Sequence, residues 1–105
     1  MISLEPIELD GKQVLGIQVQ LPKTNLLAIT TKQGYIMCGA LDVSLLNQRL
    51  ADRKILAGRA VGVRTLEDLL EAPLESVTLQ AEKNGIYSGM KGKDALLKML
   101  ACDQN

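Results

Sequence analysis

GYIMCGALD, residues 34–42, decides how the chain is read. From Tyr35 to Leu41 it is apolar, with a cysteine and a glycine inside it, and it ends at an acidic residue. A run of this kind reads as a strand buried on both faces. Asp42 is then a good N-cap, and Val43, Leu46 and Leu50 follow at helical spacing, predicting a helix over 42–52. The stretch marks a change of character, with strands before it and alternating short helices and strands after it. It also poses a chemical question. Cys38 is either a thiol poised near a helix N-terminus or a small apolar residue filling a tight corner.

Upstream, ISLEPIELD reads as a strand, with Ile2 and Leu4, then Ile7 and Leu9, in phase on either side of Pro6. Pro6 points to an edge or a bulge rather than a central strand. Asp10-Gly11 is a strong hairpin signal. KQVLGIQVQL continues as a second strand, in which Val19 and Leu21 alternate with Gln18 and Gln20. PKTN (22–25) is expected as a loop, LLAITT as a third strand, KQG as a turn and YIMCGAL as a fourth strand.

Downstream, KILAGRAVGV (54–63) reads as another apolar strand interrupted by Gly58 and Gly62. Thr65 and Asp68 have capping-box spacing, so a short helix opens there and Pro73 bounds it. LESVTLQAEKNG carries both signals. Val77-Thr78-Leu79 favours a strand, while the Val77/Ala81 spacing and Asn84-Gly85 favour a helix, which is the preferred reading. DALLKMLA is expected as a closing helix with Leu96, Leu97 and Leu100 inward. The fold class is α+β: an N-terminal antiparallel β region continuing into a mixed sheet packed by three to four short helices.

At 105 residues the chain is expected to form one domain, 1–105. Its aromatic content is 2%, two Tyr with no Phe or Trp, so the core is aliphatic. Aliphatic side chains gain less by burial than large rings, which favours burying a further face against copies of the same chain. Lys plus Arg and Asp plus Glu are 12 each, which disfavours nucleic-acid binding through a basic footprint. No apolar run approaches the ~20 residues of a membrane helix. The opening MISLEPIELD lacks the basic segment of a secretory signal. Two distant cysteines outside any C-x-x-C pair fit a reduced, cytoplasmic setting. There is no histidine, which removes Ser-His-Asp and Cys-His catalysis and the commonest transition-metal ligand, so no metal site is expected. No cofactor is identifiable.

LPKTNLL (21–27), GYIMCGALD (34–42), AGRAVGVRT (57–65) and APLESVT (72–78) together resemble the YunC-like domain family of bacteria and archaea. The resemblance covers nearly the whole chain. It implies a small cytoplasmic α/β-type domain whose N-terminal β region, about residues 1–33 here, serves in forming a tetramer. It implies no activity, and it carries no catalytic residue onto this chain.

Chemistry-bearing residues concentrate in short segments. Cys38 is the one weak catalytic candidate: a helix N-terminus would favour its thiolate, but Asp42 nearby would oppose it, and free cysteine more often packs as a hydrophobe. Arg59 lies in an apolar, glycine-flanked strand and needs a carboxylate or a ligand. Asp42 is the expected partner. Arg64 and Thr65 at a helix start form a candidate anion site, against the plainer reading that Thr65 caps and Arg64 pairs with Glu67 or Asp68. Lys23 and Asn25 offer donors on the PKTN loop, which could reach a neighbour's cleft. GMKGKDALL (89–97) departs from phosphate-loop spacing and is read as a loop before the last helix. Cys102 is read as incidental. Two functions fit. One is a homo-oligomeric domain binding a small ligand or anion between the 38–42 and 59–65 segments. The other is a structural or regulatory assembly module without chemistry.

Overall fold

The protein, examined as a computed structural model, is described for residues 1–39, 43–48 and 54–103. A six-stranded sheet runs in simple sequence order: β1 (Ile2–Leu9), β2 (Lys12–Leu21), β3 (Thr24–Thr30), β4 (Gly34–Met37), β5 (Leu56–Arg59) and β6 (Ser76–Val77). All neighbours are antiparallel except β4 and β5, which are parallel. A parallel pair needs a long crossover, and the connection from 38 to 55, carrying α1 (Val43–Gln48), supplies it. The other helices are α2 (Leu66–Glu71), α3 (Leu79–Lys83) and α4 (Gly92–Asp103). The fold is α+β, with an antiparallel N-terminal region and a mixed sheet.

Local chemistry explains the turns. Asp10 (φ 49°) and Gly11 (φ 79°) both have the positive φ of the two-residue hairpin turn whose twist matches the strands. Thr65 caps α2 by accepting from the Asp68 N–H at 3.0 Å. The Thr78 hydroxyl accepts from the Ala81 N–H at 3.2 Å and caps α3. Asn84-Gly85 ends α3, with Gly85 at φ 82°.

The sheet has two unlike faces. Ile7, Val14, Leu27, Ile29, Ile36 and Leu56 fall on one face by register. A methyl added to Gly16 would meet Leu66, and one added to Gly34 would meet Met99, so α2 and α4 cover this side. Ile29, Ile36, Leu69, Leu96 and Met99 are fully buried there, each burial being worth about 1.5–3 kcal/mol. The opposite face carries Ile2, Leu4, Leu15, Ile17, Val19, Leu21, Leu26, Ala28, Tyr35 and Met37, all half-buried or exposed.

Several sequence expectations change. Pro6 sits on an edge strand, but without a bulge, because β1 and β2 pair continuously from Ile2↔Val19 to Leu9↔Lys12. PKTN shortens to a two-residue turn, Pro22-Lys23, and Thr24 and Asn25 begin β3. The fourth strand ends at Met37 and alternates, with Gly34 and Ile36 buried and Tyr35 and Met37 half-buried, so it is not covered on both faces. The apolar run 54–63 yields strand only over Leu56–Arg59. The 74–85 segment uses both of its signals, a two-residue strand and then a helix. In α4, Leu96 and Leu100 are buried and Leu97 is half-buried. The predicted helix over 42–52 is described only for Val43–Gln48, and its Leu50 lies outside the described residues.

Candidate functional site

The two segments singled out by sequence meet at one end of the sheet. Parallel β4 and β5 both finish there, so Gly39 follows one strand as Arg59 ends the other. The Arg59 guanidinium donates from Nε and Nη2 to the Gly39 carbonyl at 3.2 and 3.1 Å. Its Nη1 donates to Glu75 Oε2 at 2.5 Å. Glu75 is held in place because its backbone N–H donates to the Arg59 carbonyl at 2.7 Å, the bond that leads into β6. Arg59 thus stitches the ends of three adjacent segments, and its described carboxylate partner is Glu75. Asp42, the partner expected from sequence, lies outside the described residues. Glu75 was missed because a two-residue strand leaves almost no periodic signal.

Cys38 directly follows β4 and belongs to the hydrophobic core, 7% exposed. Its N–H donates to the Leu27 carbonyl at 3.0 Å, and its Sγ accepts from the Leu27 N–H at 3.4 Å. Both cysteines are free thiols. Cys102 lies within α4, where its Sγ donates to Asn84 Oδ1 at 3.4 Å and ties that helix to the end of α3.

At the start of α2, the Arg64 backbone N–H donates to Asp68 Oδ2 at 3.2 Å, so Thr65 and Asp68 satisfy each other's neighbourhood. Arg64 is not on the strand with Arg59, which ends five residues earlier. Thr65 borders an open groove of about 580 Å³ between α2 and the β1–β2 hairpin, whose walls include Glu5, Gln18, Glu67 and Leu70. Lys23 occupies the β2–β3 turn with φ 61°, and both Lys23 and Asn25 are exposed. Strand directions put this turn at the same end of the sheet as Gly39 and Arg59. The structure therefore gathers Lys23, Asn25, Cys38 and Arg59 at one sheet end.

Sequence periodicity alone did not mark the open face of the sheet. Ile2 (69% exposed), Leu4 (63%), Leu21 (48%) and Leu15 (37%) all project from it. Across β1 to β4, Glu8 is its one ionisable carboxylate, and no lysine or arginine falls on this side. Tyr35 lies on β4 at the border of this face, and burial pushes the phenol above its ordinary value. The available signal was the alternation in β2, where Val19 and Leu21 take this side while Gln18 and Gln20 take the other.

The family model described as Domain of unknown function (DUF1805) matches residues 37–99. The chain is 58% identical over 100 residues to the uncharacterized protein YunC of Bacillus subtilis (strain 168), covering 95% of this chain and 99% of that protein. It is also similar to the crystal structure of a protein of unknown function, TA1206, from Thermoplasma acidophilum. That likeness has a TM-score of 0.82 at 33% identity and covers 93% of this chain and 92% of that one.

Proposed function

The chain belongs to the DUF1805 family of YunC-like proteins, and from that premise we propose that it works as a homo-oligomeric cytoplasmic assembly domain. Its N-terminal strands supply the contact between copies. The observation that carries this reading is the open face of β1 to β4, on which Glu8 is the one charged side chain. At ~3.3 Å per residue and ~4.8 Å per strand it spans about 450 Å². Two such faces approach the ~1,000 Å² that a specific interface must clear, before side-chain relief is counted. A second copy meets the chemistry on equal terms, since a largely apolar face is complementary to itself once Glu8 stays at its rim. The tetramer implied by the family resemblance is the expected assembly. Free cysteines suit a reducing compartment. Among the described residues no helix is long and apolar enough to cross a membrane.

Light scattering tests the reading. The wild-type chain should show a multiple of its 11.4 kDa mass. Leu4→Lys and Leu15→Lys, which place charge on the face, should shift it toward monomer. A wild type that stays monomeric throughout the micromolar range would end the proposal.

A second reading rests on a separate observation. In open α/β sheets ligands favour the crevice beyond the carboxyl ends of the parallel strands, and this sheet has one parallel pair, β4 and β5. β4 and β5 end there, beside Arg59, Cys38 and Lys23. We infer a small-anion subsite on the oligomer at that end, with Arg59 the main charge and Lys23 and Asn25 at the same sheet end as further donors. Because Arg59 already holds Glu75, an anion must compete with that carboxylate, so binding is weak. Calorimetry with inorganic phosphate should give heat with the wild type and none with Arg59→Ala. Equal heats, or none with either, would remove the subsite.

A further inference from the structure

The open face and the free edge of β1 are two different routes to self-association, and the backbone distinguishes them. Met1 and Gln20 exchange both of their backbone bonds: the Met1 ammonium donates to the Gln20 carbonyl at 3.1 Å, and the Gln20 N–H donates to the Met1 carbonyl at 2.8 Å. In an antiparallel ladder such pairs alternate with pairs that exchange none. The continuous β1–β2 register then makes Ser3, Glu5, Ile7 and Leu9 the bonded positions. Ile2, Leu4, Pro6 and Glu8 turn their backbone groups away from β2, toward the outer edge of the sheet. Pro6 therefore removes the third of four outward donors without costing the sheet a bond. The same four residues point their side chains onto the open face.

Resting on the assembly reading above, we propose that copies associate face to face through the open side of β1 to β4, and that Pro6 closes the edge route. A proline and a charge at Glu8 are the devices that blunt an exposed edge strand. The occupant of the face is a second copy of this chain, sheet packed on sheet about 10 Å apart. The face is nearly uncharged and of interface size, whereas the edge is interrupted at its middle. Pro6 then has two jobs: its ring extends the apolar face, and its missing N–H keeps the assembly finite. Without that interruption, an eight-residue edge could template open-ended pairing as well as the closed contact.

Three variants separate the routes, with mass read by light scattering and folding checked by circular dichroism. Glu8→Pro removes a second outward donor and no β1–β2 bond. Pro6 shows that this strand accepts the ring, and Ile7 is already extended as a residue before proline prefers. Face-to-face association predicts wild-type mass for Glu8→Pro and at least tenfold weaker association for Leu4→Lys. Pro6→Val restores the donor and should add high-mass species that grow with concentration and bind thioflavin T, on top of the normal oligomer. Loss of the oligomer in folded Glu8→Pro, with Leu4→Lys unaffected, would assign the contact to the edge and overturn this inference while leaving the assembly reading standing. Unchanged mass and no thioflavin response in Pro6→Val would overturn the guarding role, and that test does not depend on Glu8→Pro folding. A monomeric wild type would overturn the assembly reading itself.

Discussion

The two faces of one sheet are built from the same residue types and end in opposite conditions. On the covered face Ile29 and Ile36 are fully buried under α2 and α4. On the open face Ile2 and Leu4, equally apolar, remain mostly exposed. The difference lies in what the chain places over each side, not in composition. An aliphatic domain of this size gains most of its stability from the covered face and keeps the other for association.

The largest expected effect breaks the comparison outright. Ile36→Ala removes methyl groups from the closed core and should lower unfolding free energy by about 2–5 kcal/mol in urea titration. Leu4→Ala, measured at a dilution where copies separate, should change it by less than about 0.5 kcal/mol. Similar losses at both positions would mean that the open face is part of the monomer's core. A smaller effect sharpens the contrast by adding atoms instead of removing them. Gly58 faces the covered side, and a methyl there would lie 2.7 Å from Leu74 Cδ1. Gly58→Ala should therefore cost about 1–3 kcal/mol. Ala28→Val on the half-buried open side should fold as the wild type does, with the same thermal midpoint. A tolerated Gly58→Ala would show that Leu74 packs loosely.

The smallest effect is a pH dependence. Burial raises the Tyr35 phenol above its ordinary pKa of 10.0. A raised pKa means the folded state favours the protonated phenol, so its contribution is intact below pH ~10 and declines as pH rises through the folded value. Unfolding midpoints should therefore fall more steeply above pH ~10 in the wild type than in Tyr35→Phe. Association should push the phenol higher still, because a second copy buries it further. Identical alkaline profiles for the two proteins would mean that burial of the phenol does not bear on stability.

Much of this contrast was legible in the sequence, though not its meaning. Asp10-Gly11, the Thr65 cap and the DALLKMLA helix could be read because each rests on neighbours close in sequence. In β1 the apolar positions change parity at Pro6, from Ile2 and Leu4 to Ile7 and Leu9. The structure keeps the register unbroken there, so one strand serves the open face first and the covered face after. In β2 the alternation was visible, but alternation alone does not say which side meets the helices. Glu75 as the partner of Arg59 and the burial of Cys38 against Leu27 depend on pairings 16 and 11 residues apart, which local patterns do not encode.

The central claim is that the open face is covered in the working protein. The most direct test is the rate of thiol labelling of Leu4→Cys against Leu79→Cys, each in a Cys102→Ser background. Leu4 and Leu79 are similarly exposed in the single chain, 63% and 54%, and Cys38 is buried. The account predicts that the cysteine at position 4 reacts at least tenfold more slowly at micromolar protein, and that the gap closes on dilution. Equal rates at every concentration would contradict it.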